Sequence, residues 1–148
     1  MMNTRTFSLL PISLSLLLLA VIYGCAPQND SEPLQVFPAT VNQDCAPWDG
    51  GAFTIMIPYN AVSTIQISIW DLSDPDHRST FSFPDETGRV GHAALHASST
   101  ETLGGTVSLS AVEEGRPLEG EFDLFTEAGK RLRGKFIAAW GDFVALCG

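Results

Sequence analysis

Ser63-Thr-Ile65-Gln-Ile67-Ser-Ile69-Trp70 is the stretch that decides the fold. Its isoleucines recur at every second residue with Thr64, Gln66 and Ser68 between them, the period of a half-buried β-strand. Upstream, Phe53-Thr-Ile55-Met-Ile57 alternates in the same way and stops at Pro58. Cys45 to Gly51 is a turn cluster, and before it Val36, Phe37 and Val41 suggest a first edge strand broken at Pro38. Downstream, Asp71 to Asp76 reads as a loop, Thr80 to Phe83 as a short strand ended by Pro84, and Asp85 to Gly88 as a turn. Val90 to Ser98 alternates again, setting Ala93, Leu95 and Ala97 opposite His92, Ala94 and His96. Gly104-Gly105 leads into Val107, Leu109 and Ala111, Glu113 to Pro117 turns the chain, and Phe143 to Leu146 reads as a final strand.

The last third contains an echo. Leu118-Glu-Gly120-Glu-Phe122-Asp-Leu124 returns 14 residues later as Leu132-Arg-Gly134-Lys-Phe136-Ile-Ala138. Thr126 to Lys130 supplies a glycine turn between the copies, so the pair predicts a hairpin with Glu119 and Glu121 near Arg133 and Lys135. Glycine before an aromatic in both strands predicts tight bends where a sheet curls. No stretch after Cys25 has a helical period. The expected fold is therefore all-β, a small antiparallel β-sandwich or closed β-barrel of about seven to nine short strands.

The chain has 148 residues, enough for one domain. Acidic residues outnumber basic ones 17 to 8, for a net charge of −9. A surface so negative repels phosphate backbones, which excludes nucleic acid as the expected partner. The acidity is spread along the chain, and solubility accounts for it.

The N-terminus has one positive charge, Arg5, ahead of the Leu-rich run from Phe7 to Ile22. As a helix those residues fall short of a ~30 Å hydrocarbon core, as a signal peptide does. The run closes on Ile22-Tyr23-Gly24-Cys25. This resembles the lipobox of bacterial lipoprotein precursors, although Tyr23 stands where that motif ordinarily has a small residue. The resemblance implies cleavage before Cys25 and lipidation of its thiol. Ordinary signal cleavage with a free Cys25, or an uncleaved anchor, are the other readings of the same residues. Ala26 stands where an inner-membrane retention signal has Asp. By resemblance to Gram-negative lipoproteins this implies an outer-membrane location facing the periplasm. The segment from Cys25 to Leu34 lacks apolar periodicity and contains Pro27 and Pro33, as an extended tether does. The expected organisation is a signal peptide over 1–24, a lipidated cysteine and tether over 25–34, and one β-domain over 35–148.

Three cysteines are present, and lipidation of Cys25 leaves Cys45 and Cys147 as an even pair at the two ends of the domain. A bridge between them closes a loop of about 100 residues and restricts the unfolded chain by about 4–5 kcal/mol in the chain-entropy model. Export supplies the oxidising compartment that it needs. Two buried free thiols are the alternative.

Few residues suggest chemistry. His92 and His96 share one face of a strand but stand about 13 Å apart at 3.3 Å per residue, too far for one metal ion. His77 is the only other histidine. Asp71, Asp74 and Asp76 make a weak calcium candidate without the glycine or spacing of an EF-hand loop. No Gly-x-Ser-x-Gly is present, and the Glu113-Glu114 pair sits in a turn. Trp48, Trp70 and Trp140 are candidates for lining a ligand cleft, with core or rim packing as the plainer role. No metal or other cofactor is expected.

The sequence thus points to a membrane-anchored envelope lipoprotein with a non-catalytic β-domain. Its expected partners are the membrane, through the lipid on Cys25, and an envelope protein or cell-wall component. A lipocalin-like carrier of a small apolar ligand is the alternative, and a hydrolase assembled from distant residues has no local signature.

Overall fold

Ile65, Ile67 and Ile69 are fully buried, and Thr64 and Gln66 between them are only half-buried. The computed structural model describes residues 33–70, 80–110, 112 and 115–147. Cys25, Asp71, Asp74, Asp76 and His77 lie outside the described residues. The compact unit begins at Leu34.

Eight strands follow: β1 (Val36–Cys45), β2 (Gly51–Asn60), β3 (Ser63–Ile69), β4 (Thr80–Phe83), β5 (Gly91–His96), β6 (Thr100–Leu109), β7 (Leu118–Phe125) and β8 (Arg131–Trp140). Seven close into a barrel in the order β1-β2-β3-β5-β6-β7-β8, and β8 pairs back onto β1. The eighth, β4, shares one edge of β6 with β5. Thr100 to Leu103 pair with β5, and Gly105 to Ser108 pair with β4. The fold is a closed barrel with one added strand, and not a sandwich.

All ring pairings are antiparallel except β1 with β8, which runs parallel from Val36↔Lys135 to Val41↔Trp140. The reason is parity. Directions alternate around an up-and-down ring, and an odd number of strands leaves one pair that cannot alternate.

Two sequence expectations are corrected. The first strand is neither an edge nor broken at Pro38; β1 is continuous and flanked by β2 and β8. Lys135 N bonds to Gln35 O and Gly141 N to Val41 O, so the odd-numbered residues of β1 face β8. Pro38 therefore turns its missing N–H towards β2, whose ladder with β1 starts only at Thr40. Phe143 to Leu146 is not a strand. Phe143 and Val144 are neighbours and each is 65% exposed, so no alternation exists, and β1 and β7 already occupy both edges of β8.

The core is a filled interior. Phe53, Phe122, Phe136, Ile55, Ile57, Leu103 and Leu132 are among its fully buried side chains. The echo explains part of the packing. In the β7–β8 register Gly120 faces Phe136 and Phe122 faces Gly134, so each ring crosses the glycine opposite. Glu121 faces Lys135, as the hairpin predicts. Glu119 faces Ile137, and the Arg131 guanidinium grips Asp123 at 2.6 and 2.7 Å.

Cys45 and Cys147 form a disulfide with Cα atoms 5.5 Å apart. It fixes the C-terminal segment 141–147 across the end of β1.

Candidate functional site

The barrel has two dissimilar ends. The chain enters β1 at Val36, and Cys45 lies nine residues further on, about 30 Å away at 3.3 Å per residue. The β1–β2 turn, Trp70, the loop before β5, the β6–β7 connection and the C-terminal segment all gather at the Cys45 end. Among the described residues, five of the nine exposed large hydrophobics sit there: Trp48, Val112, Phe143, Val144 and Leu146. Contiguous exposed apolar groups are a general property of interaction surfaces.

A tight turn from Ala46 to Gly50 presents Trp48. Ala46 N bonds to Gly50 O, Asp49 N bonds to Ala46 O, and Asp49 takes a positive φ of 66°. Trp70 extends β3 by one residue through its N–H to Val90 O. The Trp48 and Trp70 rings meet edge to face at 5.9 Å, and Trp70 lies 5.5 Å from the His92 ring. Arg89 stands 6.0 Å over the Trp48 ring, within cation–π range.

Asp85 holds the loop that carries Arg89. Its carboxylate accepts the Thr87 hydroxyl and the backbone N–H groups of Thr87 and Val90. The Thr87 hydroxyl bond, helped by those N–H groups and opposed by partial desolvation, holds its pKa down at about 2. The pKa of His92 is lowered too, which for a base disfavours the charged form. Burial, with a smaller repulsion from His96, lowers its pKa and favours the neutral ring. Its Nδ1 is buried without a hydrogen-bond partner among the described residues.

His96 is committed elsewhere, with Nε2 at 2.9 Å from Gln66 Oε1 and Nδ1 at 3.1 Å from Thr100 Oγ1. From Gln66 a chain of bonds runs through Ser68 and Thr54 to the Asp44 carboxylate. It crosses the outer face of four strands. The structure therefore gives the two histidines different tasks, and among the described residues no group of three His, Cys, Asp or Glu side chains could hold a metal ion.

Trp140 occupies a separate part of the same end. It packs edge to face on Phe53 at 6.3 Å and donates its Nε1–H to Arg116 O at 2.8 Å. Phe53 and Trp140 line a pocket of about 360 Å³ together with Gln43, Asp44, Ala145 and Cys147. A shallower depression of about 450 Å³ lies on the wall among Ser108, Glu119, Glu121 and Lys135. Of the three tryptophans, Trp48 and Trp70 form one cluster and Trp140 forms the pocket. Sequence reasoning missed Arg89, His92 against Trp70, Phe53 beneath Trp140 and Asp44. The Asp85-x-Thr87 turn was the only local signal for any of them.

Comparison with protein-family models, curated proteins and solved structures found no match for this chain.

Proposed function

We propose that this is a lipid-anchored protein of the bacterial envelope whose barrel binds a partner with the end that carries Cys45. Cys25 carries the lipid, and the aromatic end at Cys45 meets the partner. One observation carries this reading: exposed apolar groups and both aromatic sites gather at the Cys45 end of the barrel. The partner is an envelope protein or a wall component, and the outer membrane facing the periplasm is the location that the residue after Cys25 favours. The role is binding or structural and involves no catalysis.

Carriage of an apolar ligand inside the barrel is the weaker reading, because Phe53, Phe122 and Phe136 occupy the interior. A photo-crosslinking residue in place of Trp48, compared with one in place of the exposed Val62 on the β2–β3 turn, tests the proposal in intact cells. Adducts at position 48 only are expected. Adducts at position 62 only, or none at either, overturn it. The Cys25→Ser chain is expected to leave the membrane fraction, and retention there overturns the anchor.

A further inference from the structure

We propose that the Cys45–Cys147 bridge is a redox latch: a dithiol opens it, the C-terminal strap of residues 141–147 comes away from the barrel, and the eight strands stay folded. What the latch controls rests on the binding end proposed above, because the strap carries Phe143, Val144 and Leu146 of its exposed apolar groups. Ala145 and Cys147, on the same strap, line the pocket beside Trp140.

The strap is fastened at its two ends. Gly141 N bonds to Val41 O at the start, and the bridge joins the far end to the last residue of β1. Between them, among the described residues, no hydrogen bond or ion pair holds positions 142–146, and the segment belongs to no ladder. Asp142, Phe143, Val144 and Leu146 are exposed and Ala145 is half-buried, so burial does little to fix the course of the backbone. Order costs conformational entropy at each of these positions, and the covalent link offsets it. Once reduced, Cys147 has Asp44 O at 3.6 Å from its Sγ, and a thiol is a weak donor.

The barrel does not depend on the bridge for closure. β8 pairs with β1 from Val36↔Lys135 to Val41↔Trp140, so the ring is complete before the strap begins. Cys147 is exposed and Cys45 half-buried, which places the bridge within reach of a reductant in solvent. Exposed bridges are the labile ones. In the exchange, one thiolate of the dithiol attacks a sulfur of the bridge and the other sulfur leaves as a thiolate. The second thiol of the reagent then resolves the mixed disulfide. The dithiol ends as a disulfide, and its two electrons and two protons pass to Cys45 and Cys147 as thiols.

Dithiothreitol is the probe, added to the full chain reconstituted in phosphatidylcholine nanodiscs and followed by backbone and indole NMR. The double variant Cys45→Ser/Cys147→Ser supplies a form that cannot close. Both should show order parameters at 142–147 below about 0.6, against about 0.85 in the strands, and a displaced Trp140 indole resonance. Strand amides away from Cys45 and the Trp70 indole should keep their positions, and reoxidation should restore the strap. A bridge that survives dithiothreitol in the folded chain overturns the inference. So does a strap equally ordered with and without the bridge, or a loss of the strand resonances. If the strap is released but crosslinking finds no adduct at position 48, the latch stands and the binding end falls. Adducts at position 48 with an unmoved strap keep the binding end and remove the latch.

Discussion

Gly120 lies directly across the β7–β8 ladder from Phe136, and the phenyl ring occupies the space where a side chain on Gly120 would go. A methyl group there would also come within 2.7 Å of the Ser108 carbonyl oxygen. The neighbouring pair repeats the arrangement in reverse, with the Phe122 ring 2.9 Å from the Cβ position of Gly134.

Gly120→Ala is therefore expected to destabilise the barrel by about 1–3 kcal/mol through overpacking. Urea unfolding followed by far-UV circular dichroism checks this. Gly51→Ala, where the space is open, is the matched control and should lie within about 0.5 kcal/mol of wild type. Equal effects at the two positions would mean that the ring does not fill the gap.

Removing the disulfide by Cys147→Ser should lower stability by about 2–5 kcal/mol, because the bridge joins residues 102 apart in sequence. The far-UV spectrum below the transition should not change, since segment 141–147 belongs to no ladder. A spectrum that loses β-structure at low temperature would contradict this.

Acid should loosen the loop around Asp85 late. Its pKa falls from an ordinary 3.8 to about 2 in the folded chain, so the charged form is the one that folding favours. The contribution is complete above about pH 4 and disappears as pH falls through about 2. Tryptophan fluorescence should report it through Arg89 and Trp48, and Asp85→Asn should flatten that acid transition.

His92 acts at milder pH. Its pKa lies below the ordinary 6.5 because burial disfavours the imidazolium. The unfolded chain therefore binds the proton first, and stability present above pH 6.5 declines as pH falls through the folded value. His92→Phe should remove this slope, seen as urea midpoints that no longer fall between pH 7.5 and 5.5. It should not weaken the protein at neutral pH, because Nδ1 has no hydrogen-bond partner among the described residues.

What the sequence revealed was local. The isoleucines of β3 and the β7–β8 echo are decided by residues two apart or by a single turn, and period alone reads them. Barrel closure is different. It depends on Val36 meeting Lys135 about 100 residues away, and no local pattern records which strand a strand will meet. The same holds for the aromatic end, where Trp48, Trp70 and Arg89 come from three connections that only the closed ring brings together. Phe143 to Leu146 misled because its apolar residues serve an exposed surface instead of an interior.

Seven is also the number that separates the start of β1 from the end of β8. An even-numbered meander returns both to one rim, whereas here β1 starts at one rim and β8 finishes at the other. A reporter inserted directly after β8 would therefore share the rim of Trp140 and obstruct the surface it was meant to study. Insertions for labelling belong at the opposite rim, in the β2–β3 turn beside Val62.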